Sequence, residues 1–414
     1  MRELKANRAR VAEEMDRLET FGAIGGGGLT RPAWTPEERQ ACAYVVSRME
    51  AAGLEVRTDP VGNVFARRPG RGSDLPPVVS GSHLDSQVRG GRFDGVVGVV
   101  CGLEAVRLLA EAGVQTQHPV EAAIIVAEEG SRFPMGTLGS RVIAGMVGEP
   151  DIRALRDAAG MTLWEQLERL GLRPRELARA RLGKDQVKAF VEVHIEQNRE
   201  LQDAGQRIGI VHTVTGKTRW RVIAEGFAQH SGGTPMPGRR DALCAASEVV
   251  LAVEAAALAE GKAGTVGTVG VLKVEPGGVV IIPGRCELQV DIRSVDGPSR
   301  HRAVADLRRR VAEIAGRRRV TITHAVIDEV DPIPFSPAVI REIETVCARL
   351  GIPARSMPSR GGHDAQNFAG FTEAGMIFIP CRDGISHAPE EFAELEDICL
   401  GAEVLAHTLA RLAG

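Results

Sequence analysis

The feature that most constrains the fold is a set of three apolar runs that each lead into histidine or carboxylate side chains. PPVVSGSHLDS carries His83 and Asp85, AAIIVAEE ends in Glu128 and Glu129, and VKAFVEVHIEQ carries His194. Each run has the length and composition of a buried strand. Alternation of such strands with helical patterns predicts a mostly parallel α/β sheet, in which ligands bind beyond the carboxyl ends of the strands. The three runs therefore predict one polar site at that edge.

The residue types at these run ends predict a metal site. Imidazole and carboxylate groups together suit divalent zinc, manganese, cobalt or nickel. Asp94 lies in a glycine-flanked turn, GGRFDG, which lets its carboxylate approach metal ions closely. His387 adds another imidazole in the late segment GISHAPEE. A carboxylate shared between two ions about 3.5–4 Å apart is an arrangement known for hydrolytic sites, so a two-metal site is expected.

The remaining acids of the runs have distinct expected roles. Asp85 lies two residues after His83 on the same side of a strand, and we expect its carboxylate to hold the second imidazole nitrogen. Adjacent residues of an extended chain point to opposite faces, so Glu128 and Glu129 reach one site only where the strand has ended. There, one carboxylate can bind metal while the other moves a proton from water to a leaving nitrogen.

Composition excludes several classes of function. The 414 residues carry 51 basic and 54 acidic side chains, a net charge of −3, so we expect no nucleic-acid partner. The seven cysteines are scattered without a CxxC pair, which indicates reduced thiols and a cytoplasmic protein. The N-terminal segment lacks the apolar region of a signal peptide. No apolar run reaches the roughly 18 residues of a membrane span, so no membrane association is expected.

The strand and helix pattern changes near Lys217. From there the chain reads as strand, helix, two strands, helix and strand, which is the ferredoxin-like order. We therefore predict an inserted domain over 215–328. It would interrupt a catalytic domain whose first part is 1–214 and whose second part is 329–414.

The motifs GSHLDS, GGRFDG, AEEGSRF, HIEQ, GGHDAQNF and GISHAPEE together resemble the metal-dependent amidohydrolases of the M20 peptidase group. Within this group the chain is similar to the branch of N-carbamoyl-L-amino-acid hydrolases, β-ureidopropionases, allantoate amidohydrolases and ureidoglycolate hydrolases. The resemblance covers nearly the whole chain. It implies a zinc-exopeptidase-like α/β catalytic domain with an inserted ferredoxin-like domain that forms a homodimer.

The resemblance also implies a role for each site residue. Two divalent ions would be bound by five ligands: His83 and His194 on one ion, Glu129 and His387 on the other, and Asp94 between them. Glu128 would be the general base. Gln197 would contact substrate, His230 would polarise the substrate carbonyl, and Arg293 would hold the substrate carboxylate. Arginine suits that last role because its planar fork pairs with both carboxylate oxygens.

Substrate identity stays open at this level. His194 and Gln87 suit the carbamoylase type, which favours small N-carbamoyl or ureido acids as substrates. However, Val280 stands where relatives usually carry an asparagine, and the loss of a polar contact can change specificity. Arg360 likewise stands where small residues are common. The alternatives are hydrolysis of allantoate, ureidoglycolate or β-ureidopropionate, hydrolysis of N-acyl-amino acids or dipeptides, and a binding protein without turnover.

Overall fold

The structure is a computed structural model that describes residues 4–414. The chain divides into two compact units. The first comprises Met1–His212 and Pro334–Gly414, and the second comprises Thr213–Ile333. Each unit has its own hydrophobic core.

Twelve α-helices and fifteen strands lie in the described residues. The helices are α1 (Arg8–Glu19), α2 (Pro36–Ala51), α3 (Val96–Glu111), α4 (Leu138–Ile143), α5 (Glu149–Ala154), α6 (Leu163–Arg169), α7 (Glu200–Ala204), α8 (Ala242–Ala259), α9 (Gly297–Arg318), α10 (Pro337–Leu350), α11 (Asp364–Phe368) and α12 (Leu395–Leu412). The strands are β1 (Glu55–Thr58), β2 (Val64–Arg68), β3 (Val78–His83), β4 (Val120–Ile125), β5 (Ala189–Ile195), β6 (Ile208–Val214), β7 (Gly216–Glu225), β8 (Gln229–His230), β9 (Val266–Glu275), β10 (Ile281–Ile282), β11 (Arg285–Ser294), β12 (Thr321–Val330), β13 (Ile333–Pro334), β14 (Ala354–Ser359) and β15 (Glu373–Ile379).

The large sheet is mixed. Its strand order is β1-β2-β4-β3-β5-β15-β6-β13, with β14 paired to β6. The four central strands β4, β3, β5 and β15 are parallel, whereas β1, β2 and β6 pair antiparallel with their neighbours. The prediction of a mostly parallel sheet is therefore wrong for the flanking strands. Strands β1 and β2 form an antiparallel hairpin, and β2 and β6 pair antiparallel with the parallel centre. The α/β class itself is confirmed, and the parallel centre carries the predicted polar run ends.

Helix α3 begins two residues after Asp94 and lies in the core of the first unit. Nearly all of its residues are buried, because Val, Leu and Ala cover every side of it. It packs against α12 and against the central strands. The strand ends and the helix start that adjoin the site are thus anchored in the core, and such elements position side chains more firmly than free loops do.

The second unit is a ferredoxin-like domain. Its sheet has the order β12-β7-β11-β9, with every pairing antiparallel. Helices α8 and α9 cover one face through an apolar core that includes Trp220 and Leu288. Residues that alternate with these core positions carry charge, among them Arg219, Asp291 and Arg293. This alternation is the expected pattern for an antiparallel sheet with one buried face.

Helix α8 is the one helix in residues 4–414 with the length and composition of a membrane span, at a mean hydropathy of 1.8. Ser247, Glu248 and Glu254 interrupt its apolar sequence. Its buried side faces the sheet of the second unit, and 44% of the helix is buried there. These features are typical of a core helix in a globular domain.

Candidate active site

The ends of the central parallel strands bring the predicted side chains together. Strand β3 ends at His83, and its neighbour β4 ends just before the Glu128–Glu129 pair. On the other side, β5 carries His194 near its end. Because parallel strands end at the same edge, residues far apart in sequence converge there. All five predicted metal ligands lie in this cluster: His83, Asp94, Glu129, His194 and His387.

Asp94 is the centre of the cluster. One carboxylate oxygen, Oδ1, lies 3.0 Å from His194 Nε2 and 3.4 Å from His83 Nε2. The other oxygen, Oδ2, lies 3.3 Å from His387 Nε2, which is itself 3.4 Å from a carboxylate oxygen of Glu129. The two oxygens of one buried carboxylate thus face two separate groups of donors.

These donors fit divalent metal ions in kind and in spacing. A tetrahedral site with metal–ligand bonds of 2.0–2.1 Å places neighbouring donors about 3.3–3.4 Å apart, close to the separations around Asp94. The Nδ1 atoms of His83 and His194 lie 3.0 Å and 2.8 Å from the main-chain oxygens of Asp85 and Ile195. Hydrogen bonds to these carbonyls leave each Nε2 lone pair for a metal.

Local backbone geometry allows this close packing. Gly95 has φ +68°, and a Cβ atom there would lie 2.4 Å from the His83 ring, so only glycine fits after Asp94. Three non-glycine residues at the site also have left-handed backbones: Ala127, Gln197 and His387. Each such residue costs about 1–3 kcal/mol, and such strain is concentrated at functional sites.

Asp85 has a different role from the one expected. Its carboxylate accepts hydrogen bonds of 3.1 Å from the backbone amides of Glu128 and of Glu129. His83 Nδ1 contacts the main-chain oxygen of Asp85 at 3.0 Å and its carboxylate only at 3.6 Å. The prediction that the carboxylate holds the imidazole is corrected, because the chain leaves the strand after His83. Asp85 instead fixes the segment that carries the two glutamates.

Glu128 and Glu129 occupy distinct positions. Glu129 faces His387 and also accepts a hydrogen bond from the Gln87 amide at 2.9 Å. Glu128 lies 3.9 Å from His83 Nε2 and is outside the groups of ligand atoms around Asp94. Burial raises the pKa of Glu128 well above its ordinary value, with a further contribution from the Asp364 carboxylate. Burial likewise raises the pKa of Glu129 to about 7.

Gln197 lies against the same carboxylate. Its side-chain amide donates to Asp94 Oδ2 at 2.6 Å and to Ser386 Oγ at 3.3 Å. Burial alone would raise the pKa of Asp94, but the attraction of His194 and the imidazole hydrogen bonds hold that pKa well below its ordinary range. The donors around Asp94 therefore favour its ionised form.

Sequence reasoning missed several buried residues next to the ligands. Glu192, His194 and His363 form a third close group, in which the His363 ring packs against His194 at 4.5 Å between centroids. Arg31 is fully buried and donates to the main-chain oxygen of Leu84 at 2.7 Å, between His83 and Asp85. His363 lies in the motif GGHDAQNF, yet no pattern in the sequence marked these individual side chains as buried.

The other predicted residues belong to the second unit. His230 is exposed on β8, opposite Ile281 of β10, and its Nδ1 accepts from the Gly233 amide at 3.0 Å. Arg293 lies on β11, where its guanidinium contacts Asp291 at 2.9 Å. Val280 is 59% exposed, and its main-chain oxygen accepts a hydrogen bond from the backbone amide of Ser231, the residue after His230. The substrate-binding roles of His230 and Arg293, and the effect of Val280 on specificity, stay predictions.

Comparison with known proteins gives a consistent result. Residues 78–411 match Peptidase family M20/M25/M40. The chain is 41% identical to an N-carbamoyl-L-amino acid amidohydrolase of Geobacillus stearothermophilus, over 96% of this chain and 97% of that protein. It is 37% identical to a ureidoglycolate hydrolase of Oryza sativa subsp. japonica, over 97% of this chain and 84% of the relative. A crystal structure of a hydantoinase/carbamoylase family amidase from Burkholderia multivorans matches with a TM-score of 0.93 at 37% identity, covering 100% of this chain and 99% of that one.

The chain therefore belongs to peptidase family M20/M25/M40. The predicted family, the fold and the class of hydrolase acting on carbon–nitrogen bonds other than peptide bonds are confirmed. Divalent metal use follows from the family and is supported by the donor groups around Asp94.

Proposed function

We propose that the chain is a dinuclear metal-dependent amidohydrolase that converts N-carbamoyl-L-amino acids into the amino acid, carbon dioxide and ammonia. The observation that carries this proposal is the buried Asp94 carboxylate, whose two oxygens face two separate groups of donors. The similarity to N-carbamoyl-L-amino-acid amidohydrolases over nearly the full chain supports this substrate class.

Two sets of side chains would hold the metal ions. His83, His194 and Asp94 Oδ1 form the first set, and His387, Glu129 and Asp94 Oδ2 form the second. Zinc, manganese, cobalt and nickel all suit these ligands. When bound, such a pair of ions polarises a carbonyl oxygen and lowers the pKa of water.

Glu128 would be the general base. It lies beside His83 but outside the donor groups, and its raised pKa suits a carboxyl group that takes up and returns a proton. We propose that it accepts a proton from the attacking water. It then donates this proton to the amino-acid nitrogen as the carbon–nitrogen bond breaks. The carbamic acid that leaves decomposes to carbon dioxide and ammonia, so the reaction consumes one water molecule.

The remaining predicted residues would bind and orient the substrate. Gln197 already lies against Asp94, so its amide is close to the proposed reacting centre. We propose that Arg293 pairs with the substrate carboxylate and that His230 donates a hydrogen bond to the developing oxyanion. Asp85 would act as a positioning residue, because its carboxylate holds the backbone of Glu128 and Glu129.

A second candidate is hydrolysis of N-acyl-amino acids. It rests on Val280, which adjoins His230 through the pairing of Ile281 with that histidine and presents an apolar side chain. An amide at this position could hydrogen-bond a carbamoyl or ureido group, whereas valine could contact an acyl chain. Allantoate and ureidoglycolate remain further candidates, since relatives of both kinds match the chain.

The proposed assembly is a cytoplasmic homodimer formed through the second unit. This unit would be the inserted dimerisation domain, flanked by the two parts of the catalytic domain. Several large apolar side chains are exposed on it, including Leu251, Leu258 and Val326. All seven cysteines are free thiols, which fits a reducing compartment.

Product analysis tests the proposed reaction. The purified protein, loaded with manganese or cobalt, would be incubated with N-carbamoyl-L-, N-carbamoyl-D- and N-acetyl-L-amino acids, allantoate and ureidoglycolate. We expect equal amounts of ammonia and L-amino acid from the N-carbamoyl-L substrates and little from the D enantiomers. Turnover of N-acetyl substrates alone would contradict the carbamoylase assignment and favour the second candidate. Val280→Asn should then raise the preference for carbamoyl over acetyl substrates.

A further inference from the structure

Glu391 is a buried carboxylate beside the metal cluster that has no role in the proposed reaction. Only 1% of its surface is exposed. Its Oε1 atom accepts hydrogen bonds from the backbone amides of Phe93 at 2.8 Å and Asp94 at 3.0 Å. Its Oε2 atom accepts from Ser386 Oγ at 3.0 Å and from the backbone amide of His387 at 3.3 Å.

These four contacts join two segments that are nearly 300 residues apart in sequence. One segment carries Asp94, whose oxygens face both donor groups, and the other carries His387. Ser386 strengthens the connection, because its hydroxyl also lies 2.8 Å from Asp94 Oδ2. A single side chain therefore fixes the relative position of two proposed ligands, and its oxygens are directed at backbone and hydroxyl donors.

Gly91 packs directly against this carboxylate. A Cβ atom on Gly91 would lie 2.0–2.2 Å from the carboxyl atoms of Glu391, and these are its three nearest atoms. The backbone of Gly91 does not have a positive φ. Packing against Glu391, and not backbone conformation, is thus what excludes a side chain at this position.

We propose that Glu391 is a positioning residue that sets the spacing of Asp94 and His387 before the metal ions bind. This inference rests on the proposed metal site. Residues that orient ligands in this way typically change metal affinity by 10–100-fold when they are replaced. Glu391→Gln keeps the size of the side chain but replaces one acceptor oxygen with a donor NH₂ group, so at least one of the four donors loses its partner.

The experiment measures dissociation constants for Co²⁺ by competition with a chromophoric chelator, together with urea unfolding of each metal-free protein. The variants are Glu391→Gln, Glu391→Ala, Gly91→Ala and the double variant Gly91→Ala/Glu391→Ala. Glu390→Gln is the matched control, since that neighbouring glutamate is exposed. We expect Co²⁺ affinity 10–100-fold weaker in Glu391→Gln and Gly91→Ala and unchanged in the control, with an altered visible spectrum of the bound cobalt.

The double variant separates positioning from general damage. Removal of the Glu391 side chain leaves space for the new methyl group at position 91, so Gly91→Ala should cause no further loss of affinity in the Glu391→Ala background. A variant that is less stable but binds Co²⁺ as tightly as the wild type would overturn the inference, as would additive losses in the double variant. Failure of the wild-type protein to bind Co²⁺ would instead refute the metal site itself.

Discussion

Asp85→Asn is the substitution whose consequences follow most directly from the structure. The Asp85 carboxylate is buried and accepts one hydrogen bond from each of the Glu128 and Glu129 amides. Asparagine keeps one acceptor oxygen but presents an NH₂ group to the second amide. A hydrogen bond to a charged group contributes about 1.5–3 kcal/mol, and the unpaired buried amide is costly as well.

An opposing effect reduces the expected loss. Burial raises the pKa of Asp85, so the ionised carboxylate is itself unfavourable in the folded protein, and a neutral side chain removes that cost. We therefore expect the free energy of unfolding to fall by about 2 kcal/mol, near the lower end of the hydrogen-bond range. Displacement of the Glu128 backbone by about 1 Å should also reduce turnover by roughly 100-fold.

Urea unfolding of the metal-free proteins measures the first effect, and the rate of ammonia release from the metal-loaded proteins measures the second. Asp74→Asn is the control, because Asp74 is exposed. Typical surface substitutions change the free energy of unfolding by no more than about 0.5 kcal/mol. If the free energy of unfolding of Asp85→Asn lies within that range of the wild-type value and the variant retains full activity, the positioning role assigned to this carboxylate is wrong.

Three further predictions concern the base, a buried acid and the thiols. Glu128→Gln should abolish turnover while the bound metal per chain, measured by atomic emission, stays at the wild-type value; normal turnover would refute its role as base. Burial raises the pKa of Glu38 to about 7 from 4.5, so its ionisation lowers the free energy of unfolding as pH rises through this interval. Relative to the wild type, Glu38→Gln should therefore gain stability between pH 4.5 and 7, by up to ~3 kcal/mol. If urea unfolding gives free energies for the two proteins that change in parallel with pH, this prediction is contradicted. A disulfide reagent should label the exposed Cys244 in the native protein but reach the buried Cys101 only after unfolding, whereas rapid labelling of Cys101 would contradict its burial.

The sequence was sufficient to predict which donor side chains converge around Asp94. His83, His194 and the glutamate pair follow apolar runs of strand length, so the physics of parallel sheets brings them to one edge. Asp94 and His387 lie on loops; their residue types made them candidate ligands, and their places in the cluster came from motif resemblance. The features that were predicted well thus depend on runs of buried apolar residues, which are visible in the local sequence.

The mistakes concern side-chain direction beyond the strand ends. The expected contact of the Asp85 carboxylate with His83 assumed that strand geometry continues, but the chain turns and the main-chain oxygen takes that place. Strand β2 pairs antiparallel with β4, and the alternation of strand and helix patterns along the chain did not reveal this direction at the edge of the sheet.

Buried charged residues were the least predictable part. Glu390 and Glu391 are adjacent and chemically identical, yet Glu390 is exposed, whereas Glu391 is buried and accepts hydrogen bonds from its own segment and from the distant Phe93 and Asp94 amides. Arg31 likewise resembles any other arginine in a chain with 51 basic residues, although it is fully buried. Only tertiary structure distinguishes such residues, because their partners come from remote parts of the chain.

The most direct test of the metal-dependent mechanism is a titration of activity with metal. Ammonia release from an N-carbamoyl-L-amino acid would be measured with chelator-treated protein as Mn²⁺ or Co²⁺ is added back, with bound metal determined at each step. The proposed site predicts no turnover without metal and full turnover when two ions per chain are bound. Undiminished ammonia release from the metal-free protein would contradict it.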